Sequence, residues 1–336
     1  MSKFSTLSKL TVSLLVASTI GLAGCAQGSD EASSDSSQSA EQSADRTVST
    51  PKGDVTVPGD PQKVVVLNYA LAGYLYDLDV PVTNVVPEDA DGAGEFSDMW
   101  GDKPEEDGTE FLPWSTEGFD LESIMAAEPD LIIAGGWGFP YFQADEIYDD
   151  LSDIAPTVMV DKGFETWQDQ LKFLAVDTFG KQDKYDEMLS DYDARIEDVR
   201  GSIEVPPQPT SFISVVADGT PYLAFDNSAL PELFSDLGFE INPLSEENNL
   251  EPYAPGGDMA ELSTEQLGQL VDSETVFVNG FNADTISVDE LKDRPVWQDL
   301  PAFQNGHAYD LPYWASRHDY DEAMALLDQV EENFGK

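Results

Sequence analysis

Aromatic residues carry most of the potential chemistry in this sequence, and they fall repeatedly just beyond short apolar runs. Tyr69 follows the run KVVVL at 63–67. Trp137, Phe139, Tyr141 and Phe142 follow LIIA at 131–134, and Phe281 follows TVFVN at 275–279. Trp100 and Trp114 lie in a Gly/Pro/acid-rich stretch, and Tyr253 sits in the proline-flanked PYAP segment. Tyr313 and Trp314 occur in LPYWASRH at 311–318, close to Arg317. Flat apolar faces with a few polar groups suit the capture of a bulky ligand. An arginine among them can grip an anionic group through forked hydrogen bonds or stack on a ring. Local packing is the competing role for each aromatic. For Arg317 it is a surface pairing with Asp319 or Asp321.

Covalent chemistry is poorly provided for. The two histidines are His307, in NGHAY, and His318, in RHDY. There is no His-x-x-x-His pair, no Gly-Lys-Ser/Thr phosphate loop and no Gly-x-Ser-x-Gly elbow. Cys25 is the single cysteine, which excludes an internal disulfide, an Fe–S cluster and a cysteine-rich zinc site. The 66 acidic residues make chance carboxylate pairs common, so an extracytoplasmic carbohydrate-active enzyme stays open as an alternative. Against 16 basic residues they give a net charge of −50, which repels nucleic acid and anionic lipid headgroups. Self-repulsion of that size implies a fold that added salt stabilises.

The elements that must position these residues follow a targeting segment. Residues 1–24 read as a lipoprotein signal peptide: Lys3 and Lys9 precede an apolar stretch at 10–23 that is too short for a comfortable membrane span. It ends in Leu22-Ala23-Gly24-Cys25, which marks Cys25 for acylation, with palmitate among its acyl chains. Residues 25–45, rich in Ser, Asp, Glu and Gln, form a disordered acidic tether. Beyond them, apolar runs alternate with amphipathic stretches, an α/β signature. The expected order is an N-terminal α/β lobe over 46–163, an interlobe helix over 164–205 and a C-terminal α/β lobe over 206–336. Apolar spacing from Leu171 to Val199 is helical, with an interruption expected near Gly180. Two Rossmann-like lobes joined by a long helix enclose a ligand cleft, and residues past the carboxyl ends of the strands line it. The halves also echo each other, since Glu122 precedes Gly135 by 13 residues and Glu265 precedes Gly280 by 15.

Five segments carry a family resemblance in their order and spacing. They are GDVTVPGDPQKVVVLN, DLESIMAAEPDLIIAG, DIAPTVMV, STEQLGQLVDSETVFVNG and VWQDLPAFQNGHAYDLP. Together they resemble the periplasmic-binding-protein family that serves ATP-driven uptake of ferric siderophores, haem and cobalamin. The likeness covers most of residues 50–336. It departs from the family where Asp272-Ser273-Glu274 replaces a Pro-Asp pair, and at His307, where a basic residue is common. The resemblance implies a monomeric, non-enzymatic binding protein without a cofactor, lipid-anchored at the extracytoplasmic face of the bacterial cell membrane. It implies docking of Glu122 and Glu265 onto a dimeric ABC permease with its ATPase. It implies a ferric siderophore as ligand, and the scarcity of basic residues favours a neutral or cationic one of the hydroxamate type. Haem or a corrinoid is the alternative ligand, with His318 or a cleft tyrosine as axial ligand for haem.

Overall fold

The structure, a computed structural model, describes residues 44–164, 166–253, 257–280, 285–317 and 319–336, and only the backbone of Arg317. The signal peptide, Cys25, most of the tether, Phe281, His318 and the Arg317 side chain lie outside the described residues.

The fold is α/β with two lobes. Val64, Val65 and Val66 are wholly buried, as a central parallel strand covered on both faces requires. Around Val64–Val66 the N-terminal sheet runs Glu110–Phe111, Val82–Val85, Val64–Val66, Leu131–Gly135, Thr157–Val160, with every pairing parallel. Alternation along the strands sends Val64, Val66, Leu131 and Ile133 into one core layer. Val65, Leu67, Ile132 and Ala134 enter the other. The C-terminal sheet runs Met259–Glu261, Pro221–Ala224, Thr210–Val215, Thr275–Asn279, Ala308–Asp310. Its last three strands are parallel and its first two antiparallel.

The interlobe segment consists of helix Trp167–Lys172, a π-helical stretch Phe173–Thr178 and helix Gln182–Ser202. The break falls at Gly180, whose φ of +67° is left-handed and whose missing Cβ leaves room for the Arg46 guanidinium. Helix Tyr320–Phe334 packs along Gln182–Ser202, with Arg195 bound to both Asp328 and Glu331 at 2.6 Å. One contiguous core holds Val64 and Ile133 of the first sheet, Trp167 and Leu171 of the interlobe segment, Phe212 and Phe277 of the second sheet and Leu327 of the last helix. A junction packed this way resists wide opening of the lobes.

That junction also buries carboxylates. Asp319, 3% exposed, caps helix Tyr320–Phe334 through a reciprocal capping box with Glu322. Its carboxylate also accepts a hydrogen bond from Trp100, and a Cβ on Gly73 would collide with its Oδ2. Desolvation pushes Asp319 and Asp321 above the usual carboxylate range. Asp77 is pushed up to about 9, first by desolvation and then by the charges of Asp321 and Asp319, and its buried Oδ2 has no hydrogen-bond partner among the described residues. A carboxyl whose folded pKa is raised helps the fold only while protonated. Its contribution is therefore complete below the unfolded pKa near 4 and is lost as pH rises toward about 9. Asp77→Asn should stabilise the protein by roughly 2 kcal/mol at pH 9 and by almost nothing at pH 4. Urea unfolding at the two pH values checks this, and an equal effect at both would contradict it.

Candidate functional site

The site is built where the parallel strands of both lobes end. Asn68, two residues past Val64–Val66, donates from Nδ2 to the carbonyls of Gly135 (2.7 Å) and Trp137 (3.0 Å), and its Oδ1 accepts from the Ala70 amide. One amide side chain thus fixes two adjacent strand-end loops. The Trp137 indole donates to the Phe164 carbonyl at 2.5 Å and ties in the loop after Thr157–Val160. Asn279 plays a comparable part in the C-terminal lobe: its Oδ1 accepts from Ser214 Oγ at 3.0 Å and its Nδ2 donates to the Gly280 carbonyl at 3.2 Å.

The two lobes meet through a polar contact. Tyr313, just past Ala308–Asp310, donates its hydroxyl to Glu88 Oε2 at 2.8 Å, and Glu88 lies in the loop after Val82–Val85. Desolvation raises the Tyr313 hydroxyl well above its ordinary range, followed by the Glu88 hydrogen bond and the charges of Glu88, Glu322 and Asp89. Tyr69 is raised likewise, by burial first and then by Glu88, Tyr313 and Glu322. These shared couplings place Tyr69, Tyr313 and Glu88 in one neighbourhood. Trp137 and Trp314 are half-buried at strand ends of opposite lobes.

The other aromatics are placed differently. Trp100 is 5% exposed and lies beneath the site, with its ring 4.6 Å from Tyr69 and 5.2 Å from Tyr76. Burial leaves its indole N–H in need of an acceptor, which Asp319 supplies. Trp114 is also buried, stacked on Phe119 and hydrogen-bonded to Gln143 Oε1 at 2.6 Å. Tyr141 belongs to helix Phe139–Glu146, where the helical period turns it inward with Ala144 and leaves Phe139 and Phe142 about half exposed. The Lys162 ammonium stands 4.9 Å from the Phe142 ring. Tyr253 is exposed at the edge of the C-terminal sheet, edge-on to Tyr222. Of the cleft candidates, Tyr313 meets Glu88 of the other lobe near Tyr69, and Trp137 and Trp314 stand half-buried past the strand ends of their own lobes. Glu88 and the two asparagines, Asn68 and Asn279, join the site although they carry no periodic or compositional signal. Their position just past a strand is the clue that could have found them.

Glu122 and Glu265 are exposed at matching places, each the second residue of a short helix, Leu121–Ala126 and Thr264–Leu270. Asp120 and Ser263 cap these helices. Each helix leads into a central strand, so its first turn lies toward the strand end that opens on the cleft. A hollow of about 870 Å³ lies elsewhere, between residues 46–51 and Phe173, Val176 and Asp177. It shares only Asp161 and Phe164 with the strand-end loops and gathers none of the four cleft aromatics. Among the described residues no group of three His, Cys, Asp or Glu is placed to hold a metal ion.

Two Rossmann-like lobes with aromatic and polar groups at facing strand ends define a solute-binding protein. The family model described as periplasmic binding protein matches residues 64–313, and the chain belongs to that extracytoplasmic family. It is 29% identical over 296 residues to the ferric enterobactin-binding periplasmic protein FepB of Escherichia coli O6:H1, covering 86% of this chain and 91% of that protein. It is 26% identical over 291 residues to the probable siderophore-binding lipoprotein YfiY of Bacillus subtilis, covering 83% and 84%. Among solved structures, holo-ViuP shares the fold with a TM-score of 0.72 at 22% identity, over 87% of this chain and 95% of that one.

Proposed function

We propose that the protein captures a ferric siderophore outside the cytoplasmic membrane and delivers it to the permease of an ABC importer, anchored there by a lipid on Cys25. The observation that carries this reading is the Tyr313–Glu88 contact between strand-end loops of two lobes, beside Tyr69, in a chain of this family. The naming of FepB and YfiY as siderophore binders supports the ligand class. Iron enters as cargo already wrapped by its chelator, so the protein needs to offer faces and hydrogen bonds rather than metal ligands. Glu88 accepts from the Tyr313 hydroxyl, the charges of Glu322 and Asp89 also bear on it, and basic residues are scarce, which favours a neutral or cationic chelate of the hydroxamate type. Glu122 and Glu265 are the groups that meet basic residues of the permease.

Tryptophan fluorescence of the chain after Cys25 tests the proposal. A ferric trihydroxamate should quench it saturably at submicromolar concentration, the iron-free ligand should not, and ferric tricatecholate and citrate complexes should bind more weakly. A Soret shift with haem and no response to any ferric siderophore would replace siderophore capture by haem binding. Turnover of a glycoside would replace it by enzyme action.

A further inference from the structure

We propose that Asp319 is a positioning residue of the cleft: seated in the notch that Gly73 leaves, its carboxylate holds Trp100 and so fixes where Tyr69 of one lobe stands relative to Tyr313 of the other. This inference rests on siderophore capture and adds a residue that sets the cleft without touching the ligand. Asp319 leads helix Tyr320–Phe334, six residues after Tyr313. Its Oδ1 accepts from the Glu322 amide at 2.9 Å and caps the helix. Its Oδ2 reaches helix Ala72–Asp77, where a Cβ on Gly73 would collide with it and would lie 2.9 Å from Trp100 Nε1. The buried Trp100 indole donates to this carboxylate, and its ring lies 4.6 Å from the ring of Tyr69. The Tyr69 hydroxyl is held in turn by the Glu95 carbonyl at 2.8 Å. Tyr69 is thus backed by a chain of contacts that starts at the helix following Tyr313. Capping alone does not call for aspartate, since asparagine caps a helix as well. Asparagine, however, offers one acceptor oxygen in place of two, so either the helix amide or the buried indole N–H would face a donor. A binding side chain keeps its geometry only as firmly as the residues behind it are held.

Calorimetric titration of the mature lipoprotein in detergent micelles with ferrichrome, a neutral ferric trihydroxamate, tests this; where ferrichrome does not bind, the ferric siderophore that does takes its place. Asp319→Asn should weaken binding about tenfold, and Trp100→Phe, which keeps a ring and removes the N–H, about fivefold. The double variant should bind no more weakly than Asp319→Asn alone, because the one remaining oxygen then serves the one remaining donor. A merely structural role would lower the melting temperature of both single variants and leave the Kd of the folded protein unchanged, and that result would overturn the inference. So would losses that simply multiply in the double variant. Should Asp319→Asn fail to fold, Trp100→Phe alone decides, and an unchanged Kd in that variant would equally overturn it. Each of these outcomes leaves siderophore capture intact. Failure of the unaltered protein to bind any ferric siderophore would instead remove the proposed function itself.

Discussion

Gly135→Ala is expected to cost roughly 3–5 kcal/mol and to lower the melting temperature by about 10 °C. Gly135 ends the central strand Leu131–Gly135 with a φ of +92°, where an L side chain is strained. It is also crowded. An added Cβ would run into the Val160 carbonyl and lie 2.8 Å from the Val160 nitrogen and from Met159 Sδ. The first two are backbone atoms of the paired strand Thr157–Val160, so neither can swing aside as a flexible side chain would. Separating the strands would break the Gly136 N–H bond to the Val160 carbonyl, and turning the peptide would break the Asn68 bond to Gly135. Both are contacts that shape the cleft, so ligand affinity should fall along with stability. Gly108→Ala is the control. Its φ of +68° is also left-handed, but nothing lies within 4 Å of the added Cβ, and backbone strain alone should cost about 1 kcal/mol. Thermal unfolding of the two variants side by side separates crowding from strain, and similar losses would rule out the close approach as the reason for glycine at 135.

The contrast between these glycines mirrors what was legible in the sequence. Buried strands such as Val64–Val66 and Leu131–Gly135 announce themselves as apolar runs, and the break near Gly180 is visible because one glycine interrupts a long helical period. The direction of an aromatic side chain outside such a period is not visible. Trp100 and Tyr141 share the composition of a cleft residue, yet contacts distant in sequence decide their burial: Trp100 meets Asp319, and Tyr141 packs with Leu151 and Met159. Helix Phe139–Glu146, which turns Tyr141 inward, carries Pro140 in its first turn, where a missing N–H costs nothing. Glu88 is one acid among 66, and its role depends on a partner 225 residues away. Where the strands end can be read locally. Which side chains then meet across the lobes depends on how the interlobe core sets them, and that is a tertiary property.

Reversing both docking charges should separate capture from delivery. Glu122→Lys with Glu265→Lys is expected to reduce siderophore uptake roughly a hundredfold and to leave ligand affinity within about twofold. Both glutamates are exposed, and neither lies in a strand-end loop, so the cleft should not register the change. Each lobe presents one of them at the start of a helix that leads into a central strand. A permease made of two like halves can offer one basic group to each, and a lysine would then face like charge, which is worse than a lost contact. Either reversal alone should cost about tenfold, because the other lobe still engages. A structural role at the helix N-terminus predicts something else. Removing a first-turn carboxylate costs about 0.3–1 kcal/mol of stability and should leave transport unaffected. Glu105→Lys makes the same change in the first turn of helix Lys103–Asp107 and serves as the control. Uptake of labelled ferric siderophore by cells, measured beside the Kd of each purified variant, decides between the two roles. Normal uptake by the double variant would end the docking assignment, and a parallel fall in affinity and uptake would move the two glutamates into the cleft's own chemistry. The expected pattern is a protein that still holds its ligand tightly and can no longer pass it on.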